Sequence, residues 1–139
     1  MRTSSKSSKK NSFYWSSGLK DEIEYFTYQK AILTQNSKVL HFEVIKELNI
    51  GDEGYYRYKI LLADSSILEV YQKFQVTPSG IIPKRYSYHL QSSTGELIIR
   101  WDNAPHHTEL QNFPHHIHKN ESLVISGDWI DLESVLGTI

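Results

Sequence analysis

The chain contains no cysteine, which excludes disulfide staples and every zinc site built on thiolate. No apolar run approaches the roughly 20 residues that cross a bilayer as a helix. The amino-terminal residues also lack the apolar segment of a secretory signal. The expectation is therefore a cytoplasmic protein without membrane contact. Proline is scarce, with 4 residues, so where it recurs in a pattern it carries information. Strong charge of either sign is lacking too, since the net value is −1. The sign is unevenly placed, however. Arg2, Lys6, Lys9, Lys10 and Lys20 stand in residues 1–20 without an acid. The remainder is net acidic, which argues against a general phosphate-binding surface. Any contact with nucleic acid has to be local.

What is present suits one globular domain: 139 residues, 39% hydrophobic and 12% aromatic. Residues 1–18 read as a disordered basic Ser/Lys-rich arm, too poor in apolar side chains to offset the cost of ordering. Residues 19–139 read as a single α+β domain. Leu19, Ile23, Phe26 and Leu33 recur at helical spacing, with Asp21, Glu22 and Glu24 in the first turn, so residues 19–34 are expected to be helical. Alternating segments follow at 39–48, 55–62, 67–76, 85–91 and 96–102. In the first of these, Leu40, Phe42, Val44 and Leu48 alternate with more polar residues and are expected inward, and in the second Tyr56, Tyr58, Ile60 and Leu62 share one side. Short connections favour antiparallel neighbours. The expected architecture is an antiparallel meander sheet of about five strands. One amino-terminal helix covers a face, and a short carboxy-terminal helix is capped by Asp128 and carries Leu132, Val135, Leu136 and Ile139 on one side.

The hairpin of the fourth and fifth segments has a definite expected register. With Gln91 opposite Glu96, His89 faces Ile98, Ser87 faces Arg100 and Arg85 faces Asp102. One face then carries Tyr86, Tyr88, Leu90, Leu97, Ile99 and Trp101, and the other Arg85, Ser87, His89, Ile98, Arg100 and Asp102. A slip of one residue would mix charged and apolar groups on both faces. His89, Arg100 and Asp102 are thereby expected together on the polar side.

The chain leaves that hairpin directly into its densest chemistry. Among 7 histidines, His106, His107, His115, His116 and His118 fall in one segment, in which Ala-Pro-His-His is followed by Phe-Pro-His-His. Each proline stiffens the start of a His pair. If residues 114–118 are extended, His116 and His118 point the same way. Imidazole exchanges protons near neutrality and also binds metal. Two readings follow. Cleavage of RNA by its own 2′-hydroxyl needs a base, an acid and a cation over the phosphate. Histidines can supply the first two, Arg100 the third, and Asp102 can orient a histidine. No cofactor is then expected. Alternatively, His116 and His118 with His106 or His107 and Asp102 could hold Zn²⁺ or Mn²⁺ in a hydrolase of unknown substrate. A non-catalytic binding module whose histidine patch recognises a partner is a third reading, and the bland alternative has the histidines bonded to backbone in a Pro-rich loop with Arg85–Asp102 an ordinary cross-strand pair. His41 reads as a surface or half-buried residue. Tyr55, Tyr56 and Tyr58, with Tyr71, could stack bases on a sheet face, but core plus exposed strand explains such alternation more often.

The segments Tyr86-Ser-Tyr-His89, Gly95 to His107 with Arg100-Trp-Asp-Asn-Ala-Pro-His-His, and Phe113-Pro-His-His-Ile-His118 resemble the TumE toxin family. The resemblance spans residues 19–139 and departs at Trp101, where the family usually shows tyrosine. It implies a type II toxin held inactive by a cognate antitoxin, with RNA as target, and it leaves homo-oligomerisation open. It carries no assignment of catalytic residues. The candidates His89, Arg100, Asp102, His106, His107, His115, His116 and His118 therefore rest on the hairpin argument.

Overall fold

The structure, a computed structural model, describes residues 21–139. The expected arm, together with Leu19 and Lys20, lies outside them. Helix α1 spans Glu22–Gln35 and helix α2 spans Leu132–Thr138. Between them run β1 (Val39–Ile50), β2 (Glu53–Leu62), β3 (Ile67–Thr77), β4 (Gly80–Gln91), β5 (Leu97–Asp102), β6 (His116–Lys119) and β7 (Leu123–Ser126). They form one 7-stranded antiparallel sheet in sequence order. The α+β meander stands as expected, with two more strands than the five anticipated.

Asp21 caps α1 by accepting from the Glu24 amide at 2.8 Å, which satisfies an otherwise orphan donor. The helix buries Tyr25, Phe26, Gln29 and Leu33. Ile23, expected on that side, is 71% exposed. The core prefers an aromatic: Tyr25 packs on Phe74 at 4.7 Å between ring centroids. The sheet face beneath presents Tyr56, Tyr58, Ile60, Leu68, Val70, Tyr88 and Trp101, all buried. Four of these core positions, counting Tyr25, are tyrosines, and their hydroxyls need partners. The Tyr56 hydroxyl donates to Gln29 at 3.1 Å, and the Tyr58 hydroxyl to Glu47 at 2.6 Å. Gln72 bonds both Tyr25 and Tyr88. Burial raises Tyr25, Tyr56 and Tyr88 well above the ordinary phenol value, so this relay stays uncharged.

Strand β1 is an edge. Bulges between Val39 and His41 and between Val44 and Lys46 break its alternation, and Leu40 and Val44, expected inward, are exposed. His41 is exposed, as expected. The β1–β2 loop is tighter than anticipated: Ile50 pairs with Glu53 across Gly51 and Asp52. Gly51 sits at φ 63°, a conformation glycine adopts without strain. At α2 the cap is Asp131, which accepts from the Ser134 amide at 2.9 Å. Asp128 instead accepts from the adjacent Trp129 amide. The apolar side of α2 is as expected, with Leu132, Val135 and Leu136 buried.

Gly54 is required by packing. A Cβ there would stand 2.5 Å from Cζ of the buried Phe74 ring. Gly54→Ala is expected to destabilise the fold by about 1–3 kcal/mol, the usual cost of overpacking a filled core. Urea unfolding measures it, and an unchanged midpoint would show that Phe74 yields without cost.

Candidate active site

The face away from α1 holds the chemistry, and the register of three strands builds it. Strand β4 pairs with β5 through His89–Arg100 and Ser87–Asp102. Strand β6 continues through Arg100–His118 and Asp102–His116. Directly opposed residues on adjacent strands point to the same side. Two rows therefore cross the sheet: His89, Arg100, His118 and, beside it, Ser87, Asp102, His116. The expected register is off by two residues. Gln91 faces Leu97 instead of Glu96, and an irregularity next to it shifts the pairing once more. An even slip preserves the faces, so the polar and apolar sets came out as anticipated. It undoes the partners, and Asp102 faces Ser87, not Arg85.

Asp102 is the hub. It is 3% exposed. Its Oδ2 accepts from Arg100 Nε at 2.9 Å, and its Oδ1 from the Ala104 amide at 3.0 Å. His116 Nε2 lies 2.9 Å from Oδ1 and His118 Nε2 3.9 Å from Oδ2. His116 is 2% exposed, and its Nδ1 sits 2.9 Å from the Pro114 carbonyl oxygen. The His116 Nε2–Asp102 contact has ion-pair distance, yet Nε2 makes no directed hydrogen bond. The carboxylate thus lies off the nitrogen's axis, so the contact is electrostatic. His118 is partly buried, and burial holds its ring below the ordinary imidazole value against the pull of Asp102.

The connector 103–115 reaches back over this patch. Asn103 anchors it, accepting from the Tyr86 amide and donating to the Lys84 carbonyl, both at 2.9 Å. His107 stands at φ 59°, uncommon for a residue with a side chain. Its ring lies 5.1 Å from that of His116 and 5.8 Å from that of His118. Of the candidates, His89, Arg100, Asp102, His107, His116 and His118 are gathered here. His106 is exposed beside His107, 6.4 Å away between rings. His115 is not part of the cluster. Its ring stacks on Tyr86 and Trp129 on the opposite side. The Tyr86 hydroxyl donates to the Asp128 carbonyl and lies 2.9 Å from His115 Nδ1. Alternation along β6 explains this: His115 and Ile117 point away from His116 and His118.

Beside His89 and Arg100 opens a groove of about 520 Å³, lined also by Arg57, Lys59, Tyr71 and Ser87. The Arg57 guanidinium lies 4.5 Å over the Tyr71 ring. Arg57 and Lys59 were not anticipated, although alternation against the buried Tyr56 and Tyr58 places them outward. A slightly larger cavity of about 580 Å³ beside α2 is mainly apolar and holds none of the candidates.

The toxin TumE family model matches residues 29–137. The chain belongs to the TumE toxin family. As a TumE toxin it is the toxin of a toxin–antitoxin system, and its partner is a cognate antitoxin. The match takes in α1 from Gln29, the whole sheet and α2 to Gly137, so the TumE region includes every residue of the cluster. Neither a curated protein nor a solved structure matches the chain. No helix among the described residues is long and apolar enough to cross a membrane.

Proposed function

We propose that this TumE toxin cleaves RNA in the cytoplasm, at the cluster on the open sheet face. The observation that supports it is the row His89–Arg100–His118. It sets an arginine between two histidines on adjacent strands, the cation and the two proton carriers that phosphodiester transfer to a 2′-hydroxyl demands. His118, kept neutral by partial burial, removes the 2′-hydroxyl proton. The freed oxygen attacks phosphorus, the bond to the 5′-oxygen breaks, and His89 supplies the proton that oxygen needs. The products are a 2′,3′-cyclic phosphate and a 5′-hydroxyl. The outward part of Arg100 neutralises the phosphate, while its Nε stays tied to Asp102. The groove beyond His89 has room for the flanking nucleotide, with Arg57 and Lys59 as cations along it.

Expression without the antitoxin tests this. RNA from such cells should carry new ends bearing cyclic phosphate, and co-expression of the antitoxin should remove them. Growth arrest with unaltered RNA ends would reject the reading.

A further inference from the structure

We propose that His107, His116 and His118 form a seat for one divalent ion of the zinc class, and that the seated ion switches cleavage off. One ligand nitrogen from each ring lies within 4.8 Å of the other two. His116 is the pivot. A carbonyl oxygen only accepts, so the contact with Pro114 puts a proton on Nδ1. In the neutral ring Nε2 then holds the lone pair. That nitrogen is buried and, among the described residues, is the buried side-chain polar atom left without a hydrogen bond. One nitrogen donating to backbone while the other stands unpaired is the arrangement that orients a metal-ligating histidine.

Two further features favour a cation. The Nε2 lone pair stands 2.9 Å from the Asp102 carboxylate, a repulsive contact that a nearby positive ion relieves. The same carboxylate can complete a three-nitrogen, one-oxygen set, which suits zinc better than magnesium or calcium. Around tetrahedral zinc the ligand nitrogens stand roughly 3.4 Å apart. The rings must therefore draw inward by about 1 Å. The side chains of His107 and His118 are 33% and 28% exposed and have room to move, whereas His116 is packed in place.

The seat follows from geometry alone, whereas the switch rests on the cleavage reading above. A neutral imidazole has one lone pair. Once His118 gives it to a metal, the ring cannot take a proton from RNA, so ion binding and the base role exclude each other.

The full-length chain, purified without a polyhistidine tag and stripped with chelator, is titrated with zinc alone in a calorimeter. The expected result is one zinc per chain. His107→Ala should lose about 100-fold or more in affinity, beyond the 10–100-fold typical of residues that merely support a ligand. His107 lies on the exposed connector, so its loss spares the core. His106→Ala, outside the trio, should keep the ion. Absence of saturable binding, or equal binding by His107→Ala, would overturn the seat. In a second arm, zinc should suppress cleavage of single-stranded RNA, reversibly with chelator, and His107→Ala should need more zinc for the same effect. Acceleration by zinc would overturn the switch and hand the base role to ion-bound water. A chain that cleaves no RNA under either condition removes the cleavage reading and the switch, while the titration still decides the seat.

Discussion

Asp102→Ala is expected to cost about 1–3 kcal/mol of stability and to abolish toxicity. The magnitude is that of taking the acceptor away from donors bonded to a buried carboxylate. Asp102 accepts from Arg100 Nε and the Ala104 amide and faces His116 Nε2. After truncation Arg100 Nε has no carboxylate to donate to and the Ala104 amide has no acceptor. The connector loses the bond that starts its path over the cluster, so the imidazoles lose their common position as well. Urea unfolding reads the stability, and growth of cells expressing the variant without antitoxin reads the toxicity. Asp102→Asn separates the two effects. Its amide oxygen can still accept from Ala104, so much of the stability should return. Its missing charge leaves Arg100 uncompensated, so toxicity should not. A fully stable, fully toxic Asp102→Ala would mean that the carboxylate is a bystander.

His89→Ala and His118→Ala should each slow RNA cleavage by about 10²–10⁴-fold, the usual contribution of a positioned proton carrier. The two rings flank Arg100 from opposite sides, on β4 and β6. Removing either leaves the cation in place but interrupts one of two proton transfers. Single-turnover cleavage of a short single-stranded RNA measures the loss. An RNA whose leaving group needs no proton, such as a 5′-thiolate, should cleave equally well with wild type and with His89→Ala. It should still be slow with His118→Ala. Full activity of His89→Ala on ordinary RNA would remove the row from the mechanism and leave the three-histidine side of the cluster to act alone. Both rings are only partly buried, so neither substitution is expected to unfold the protein.

Much of this was legible before any coordinates. The alternation of Tyr56, Tyr58, Ile60 and Leu62 named one face of β2 and all four are buried. The split of the β4–β5 hairpin into apolar and polar faces survived a wrong register, because pleating has a period of two and the slip was even. The partners did not survive it, since a pairing irregularity leaves no mark on a hydrophobic pattern. Strands β6 and β7 span four residues each, too few for alternation to speak, and β6 is half histidine. Only its extension turns His115 to the opposite side, against Tyr86 and Trp129, and no pattern in so short a run reveals it. Edge strand β1 misled for another reason. With one neighbour and two bulges, it need not hide its apolar side chains.

By itself the sequence determined the class of the domain, its family, the apolar sides of its elements and the inventory of imidazoles beside Arg100 and Asp102. Those are properties of residue type and local period. Only the tertiary structure decided which imidazoles meet. That depended on β6 docking beside β5, which sets His118 against Arg100 and His116 against Asp102, and on the connector turning His107 back toward them. Such pairings join residues far apart along the chain and are set by the backbone ladder between strands, which no local pattern records.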